Sequence, residues 1–194
     1  MQHLIEIPAG VFWASYISWG VMELWIISRD SRRFKGRVAD RGSFFGFFIC
    51  IPLALIVAFN AAYRLPQFHI SVLQPGLSWA GIAMVWAGMA FRLWAVLTLG
   101  ALFRTSVVVQ DGHRLVTAGP YRWLRHPSYT GVIVLMTGLG LVFANWVSLA
   151  AMAILPTLAI AFRMHVEERA LGEQFGAAYA DFRENRSAVI PRVW

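Results

Sequence analysis

The feature that most restricts what this chain can fold into is a set of long apolar runs almost free of charge. Ala9 to about Ile27 carries one charge, Glu23. Ser43 to Ala62 carries none, Leu77 to about Leu99 is interrupted by Arg92, and Tyr129 to Phe162 carries none. A helix needs about 20 mostly apolar residues to cross a bilayer. The first three runs therefore each predict one span. The last is too long for one span and tight for two. Asn145 near its middle, flanked by Phe143 and Trp146, predicts a turn between two short antiparallel helices. Pro156 should kink or loosen the second of them.

The expected fold is an all-α integral membrane protein with five transmembrane helices, spans four and five forming a helical hairpin. It is a single membrane domain over 1–194. Residues 1–103 hold spans one to three. Residues 104–194 hold spans four and five, a C-terminal helix after Arg163, and most of the polar residues able to carry chemistry.

Composition favours a bilayer over a large water-soluble core. The chain is 58% hydrophobic and 14% charged, against about 45–50% and about 25% in soluble domains. The net charge of +7 would suggest nucleic acid in a soluble protein, but no soluble segment carries a basic stripe with interleaved aromatics. The expected partner is the lipid bilayer, with no nucleic acid. The basic residues instead sit between and after the apolar runs. Arg29, Arg32, Arg33, Lys35, Arg37 and Arg41 follow the first run, and Arg104, Arg114, Arg122 and Arg125 follow the third. The connection after the second run holds one base, Arg64, and the turn at Asn145 holds none. Positive charge stays on the cytoplasmic side. Five spans then place the N-terminus outside and the C-terminus in the cytoplasm, at the cell membrane if the source is prokaryotic.

The single cysteine, Cys50, excludes a disulfide within one chain and a multi-cysteine zinc site. No His, Cys or Asp spacing suggests a metal. The segment Met1 to Ala9 lacks the basic n-region of a cleaved signal. Gly81 and Gly88 on span three predict close helix approach, as do Gly131, Gly138 and Gly140, expected on one face of span four.

Polar residues gather where the chain re-enters the membrane, in the run Gly119-Pro120-Tyr121-Arg122-Trp123-Leu124-Arg125-His126-Pro127-Ser128-Tyr129. Pro127 suits the first turn of a helix, and backbone N–H groups at a helix start can bind an anion. The competing reading makes Arg125, His126 and Tyr129 interfacial anchors. A second cluster, Arg163, Glu167 and Glu168, lies at the far end of span five. Arg163 and Glu167 are four apart and share a helix face. They form either a surface ion pair of small energy or a buried pair beside the membrane. Arg92 should either snorkel to the interface or pair with Glu167, Glu168 or a substrate. No G-x-G-x-x-G after a strand, Walker loop or G-x-S-x-G elbow occurs.

Taken as a set, these residues resemble the isoprenylcysteine carboxyl methyltransferases. The matching stretches are Gln110, His113-Arg114-Leu115-Val116, Gly119, Tyr121, Arg125-His126-Pro127-Ser128-Tyr129 with Gly131, then Arg163, Glu167 and Glu168, with Phe175-Gly176 and Tyr179 behind. That family comprises integral membrane enzymes that use S-adenosylmethionine to methylate the carboxylate of a prenylated C-terminal cysteine, with S-adenosylhomocysteine as product. The resemblance implies a prenylated cysteine or similar lipid-linked acceptor. It also implies a cytoplasmic C-terminal cofactor region lined by Gln110, His113, Arg114, Leu115, Val116, Tyr121, His126, Pro127, Ser128, Tyr129 and Glu167. Arg163 would hold the acceptor carboxylate, and Arg163 and Glu167 would be the catalytic pair. Phospholipid N-methyltransferases and NADPH-dependent sterol reductases share the C-terminal layout and remain the alternatives.

The chemistry is compatible. A carboxylate with pKa near 3.5 is ionised at neutral pH, so its methylation needs positioning more than a general base. An Arg orients a carboxylate in a bidentate way. An amine acceptor would have to lose a proton first and would be repelled by Arg163.

Overall fold

Backbone N–H and C=O groups must find partners inside lipid, and a helix pairs them all within one segment. The apolar runs accordingly become helices. The computed structural model describes residues 7–31, 37–38, 43–71, 76–103, 108–109 and 115–191. Its long helices are α1 (Ala9–Ser31), α2 (Ser43–Arg64), α3 (Gly76–Leu99), α4 (Pro127–Val142) and α5 (Trp146–Phe175), followed by a short α6 (Ala177–Glu184). Among the described residues, Ala9–Arg29, Gly76–Leu102 and Trp146–Phe175 are long and apolar enough to cross a membrane, and Ile49–Arg64 and Pro127–Val142 are shorter apolar helices.

Much of the outward surface of the apolar helices is itself apolar. Exposed side chains recur at helical spacing: Trp13, Ile17, Val21 and Leu24 on α1, Ile49, Leu53 and Ile56 on α2, and Ile154, Leu158 and Phe162 on α5. A soluble protein would bury such stripes. The interior is built from Ala54, Ala58, Val85, Leu135, Leu139, Met152 and Ile160.

Helices α3 and α4 pack with their glycines in register. A methyl group on Gly88 would lie 2.6 Å from the Gly131 carbonyl oxygen, and one on Gly81 would lie 2.7 Å from that of Gly138. Small residues of this kind let two backbones approach where no water drives association. Gly140 departs from the expectation. It faces α5, where an added Cβ would lie 2.9 Å from Leu149 Cα. Two steps along a helix turn it by about 200°, so Gly138 and Gly140 cannot share a face.

The predicted turn is present. Asn145 caps α5 through its side-chain oxygen, which accepts from the N–H groups of Val147 and Ser148. Its amide donates to the Leu65 carbonyl at 3.0 Å, and Ile70 N–H donates to the Ala144 carbonyl at 2.7 Å. The hairpin tip is thereby tied to the connection after α2. Helix α5 continues through Pro156 without a break.

At the start of α4 the C-terminal segment closes over the chain. Arg125 and His126 N–H groups donate to Ser187 and Ala188 carbonyls, both at 2.9 Å, and Thr130 Oγ1 donates to the Val189 carbonyl at 2.7 Å. The β-branched stretch Ser106 to Gln110 is too short for a sheet of its own. Within it, β2 (Val108–Val109) pairs antiparallel with β1 (Arg37–Val38), a ladder two residues long. It joins the segment after α1 to the segment after α3.

Candidate active site

The polar run expected to carry chemistry folds as a 3₁₀ turn, Gly119–Arg122, leading into α4. Gly119 has φ +55°, and a Cβ there would lie 2.8 Å from Thr98 Oγ1 on α3. A side chain at this point would be both strained and crowded. The turn buries Tyr121 against the end of α3. Burial pushes the Tyr121 phenol above its ordinary value, with the Glu167 carboxylate adding to the push and Arg92 opposing it.

Pro127 occupies the first turn of α4, as expected. The N–H groups of Tyr129 and Thr130 already donate to the His126 carbonyl. The anion-binding role for this helix start is reduced accordingly.

One turn into α4, Tyr129 meets the charged cluster of α5. Arg163 Nε donates to Tyr129 Oη at 2.7 Å. Tyr129 Oη donates to Glu167 Oε2 at 2.9 Å. The two charged residues on one face of α5 are thus joined through a phenol supplied by α4. Arg163 is only 3% exposed, so its charge is held in a dry setting where a hydrogen-bond partner matters most. His126 stacks on the Tyr129 ring, with centroids 5.6 Å apart. Its Nε2 lies 3.1 Å from Glu168 Oε1 and its Nδ1 lies 3.8 Å from Glu167 Oε2. His126 therefore sits between the two glutamates. Arg125 Nε lies 3.1 Å from Glu168 Oε1, an ion pair without an in-line hydrogen bond.

Beyond Glu168 a cleft of about 490 Å³ opens between α5, α6 and the start of α4, lined by Arg125, Glu168, Gly172, Gly176, Tyr179 and Arg183 among others. The Tyr179 hydroxyl is buried without a hydrogen-bond partner among the described residues. Burial raises its pKa above the ordinary tyrosine value, and Glu168 adds to that.

Of the residues expected at the site, the fold brings together Tyr121, His126, Ser128, Tyr129, Arg163 and Glu167. Pro127 starts the helix that delivers them. Leu115 and Val116 are half-buried in the stretch before Gly119. Gln110, His113 and Arg114 lie outside the described residues.

Arg92 requires a correction. It neither snorkels nor reaches Glu167 or Glu168. Its Nε and Nη2 donate to the two carboxylate oxygens of Glu23 on α1 at 2.7 and 2.8 Å, and its Nη1 donates to Ser128 Oγ at 2.7 Å. The sequence did contain a signal for this. Glu23 and Arg92 are the lone charges of their runs, and a charge within a span is costly without a partner. Phe47 on α2 was also missed. The Arg163 guanidinium lies 5.6 Å from its ring centroid.

Comparison with known proteins converges on one family. The model of the isoprenylcysteine carboxyl methyltransferase family matches residues 81–173. Protein-S-isoprenylcysteine O-methyltransferase A of Arabidopsis thaliana is 33% identical over 130 residues, covering 63% of this chain and 66% of that one. The protein YpbQ of Bacillus subtilis (strain 168) is 35% identical over 101 residues, covering 52% and 60%. Among solved structures, the eukaryotic intramembrane Ras methyltransferase, an isoprenylcysteine carboxyl methyltransferase, superposes with a TM-score of 0.63 at 28% identity, over 76% of this chain and 52% of that one. The matches therefore span between 52% and 66% of these relatives' lengths.

Proposed function

The chain belongs to the isoprenylcysteine carboxyl methyltransferase family, and on that premise we propose that it transfers a methyl group from S-adenosylmethionine to the carboxylate of a prenylated cysteine, or of a similar lipid-linked acceptor, at the membrane interface. The observation that carries this reading is the buried relay Arg163–Tyr129–Glu167. It sets a fixed cation and a fixed anion on either side of one phenol.

The residues suit the cofactor. Glu167 Oε2 is engaged by Tyr129, while Oε1 has no partner among the described residues and can receive an ammonium group. The phenol ring of Tyr121 suits a cationic centre, while the Tyr129 ring is flanked by His126 and Phe47. Ser128 and His126 complete a wall from the start of α4. When bound, S-adenosylmethionine supplies an activated methyl group.

Every other requirement falls to the chain. Arg163 orients the acceptor carboxylate, which is already ionised and needs no base. Tyr129 holds Arg163 by its Nε edge, fixing the plane of the guanidinium and with it the direction of the attacking oxygen. Glu167, drawn to Tyr129, keeps the cofactor's ammonium at a set distance from Arg163. The gain is one of alignment.

Five membrane crossings follow from the same reading. The hairpin tip is joined to the connection after α2, and the C-terminal segment to the start of α4. These contacts suit two sets of connections at opposite membrane faces. The Arg-rich set belongs to the cytoplasm, which puts the cofactor's approach there. The N-terminus is then outside and the acceptor's prenyl chain stays in lipid. If the source is prokaryotic, the membrane is that of the cell.

The test is transfer of radiolabelled methyl to an S-farnesylated cysteine analogue by purified protein in lipid. Base-labile label on the analogue, lost in Arg163→Ala and Glu167→Ala, supports a carboxyl methyl ester. No transfer, with no protection from thermal unfolding by S-adenosylhomocysteine, would overturn the reading. Protection by NADPH instead would favour the reductase. Transfer to a phosphatidylethanolamine headgroup would favour the phospholipid N-methyltransferase.

A further inference from the structure

The relay is completed by a helix that the family match does not reach. Helix α2 precedes the matched residues 81–173, and the sequence shows no motif in it. Its Gly46 sits against α5, where an added Cβ would lie 3.9 Å from Ala159 Cβ. Ala159 is one helical turn before Arg163 on the same face. That packing delivers the next residue, Phe47, to the site. The Arg163 guanidinium carbon lies 5.6 Å from the Phe47 ring centroid. The ring is also 6.2 Å from that of Tyr129, tilted by 34°. Phe47 therefore touches both the cation and the phenol that holds it. It is half-buried, while Ile49 and Leu53 just beyond it face outward. The ring stands at the boundary between the relay and the lipid-facing side of α2.

We propose that Phe47 is a specificity-determining residue for the acceptor. Its face covers the Arg163 guanidinium, whose plane Tyr129 sets, and its edge forms the apolar shoulder against which the first part of the acceptor's lipid chain lies. This rests on the functional reading above. An ionised carboxylate on an apolar chain needs a cation and an apolar wall side by side, and Arg163 with Phe47 supplies both. A cation over an aromatic face in a desolvated setting is worth roughly a tenfold change in binding.

The experiment compares Phe47→Leu, which keeps an apolar side chain but loses the aromatic face, with Phe47→Tyr, which keeps the face. Both are measured by methyl transfer to an S-farnesylated cysteine analogue and by S-adenosylhomocysteine binding. Phe47→Leu is expected to raise the acceptor KM about tenfold, with kcat within about twofold and S-adenosylhomocysteine affinity unchanged. Phe47→Tyr is expected to retain the original KM. An unchanged KM in Phe47→Leu would overturn the inference while leaving the functional reading intact. Parallel loss of acceptor and S-adenosylhomocysteine binding in both variants would also overturn it, since the ring would then act only in helix packing. Absence of transfer by the unsubstituted protein would overturn the functional reading, and this inference with it.

Discussion

Glu23 and Arg92, 69 residues apart, meet in a two-point ion pair that joins α1 to α3, with distances of 2.7 and 2.8 Å. Both side chains are largely buried, at 11% exposure for Arg92 and 25% for Glu23. Arg92 also donates to Ser128, at the start of α4. Three helices are held at one guanidinium.

Removing either member strands the other charge among apolar helices. Arg92→Met and Glu23→Gln are each expected to destabilise the protein by on the order of 3 kcal/mol. The double variant should recover at least half of the summed loss, because no uncompensated charge is left. Thermal unfolding in one detergent, run as a double-mutant cycle, measures this. Simple additivity would count against a direct pair.

Tyr129→Phe keeps the ring between His126 and Phe47 but deletes the hydroxyl that accepts from Arg163 and donates to Glu167. A buried charged donor then loses one of its hydrogen bonds, at roughly 1–3 kcal/mol. Methyl transfer should fall about 10- to 100-fold, a far larger effect than the few degrees by which the lost hydrogen bond lowers the unfolding temperature. Transfer at the original rate would mean that the relay does not hold the reacting groups.

Gly88→Ala and Gly131→Ala test the contact between α3 and α4. The added methyl at Gly88 would lie 2.6 Å from a carbonyl oxygen, and that at Gly131 would lie 2.7 Å from Arg92 Cβ. Neither backbone can yield cheaply. A loss of about 1–3 kcal/mol is expected for each. Gly20→Ala on α1, with nothing within 4 Å, is the control and should be neutral or slightly stabilising. Unfolding temperatures separate the two cases.

Burial raises the pKa of Tyr121 and Tyr179 above the ordinary value of 10.0. Below that value both phenols are protonated whether the chain is folded or not, so they add no pH dependence. Above it the unfolded chain binds fewer protons than the folded one, and stability falls as pH rises. Unfolding temperature should therefore decline from about pH 10 upward. Tyr121→Phe should shallow that decline, and an unchanged slope would show that Tyr121 ionises freely in the folded protein.

The sequence by itself determined the number and order of the apolar helices, the turn at Asn145, the helical start at Pro127 and the shared face of Arg163 and Glu167. Each of these depends on charge, length or periodicity within one segment, and a helix in lipid must satisfy its own backbone locally. The tertiary structure alone decided which segments meet. It paired Arg92 with Glu23, turned Gly140 toward α5, inserted the Tyr129 phenol between Arg163 and Glu167, and brought Phe47 from α2 beneath the Arg163 guanidinium. Nothing in the residue pattern announces those choices, because the face a membrane helix turns to its neighbours is about as apolar as the face it turns to lipid. Rotation and depth are then set by close packing between helices, and packing is a property of pairs of segments.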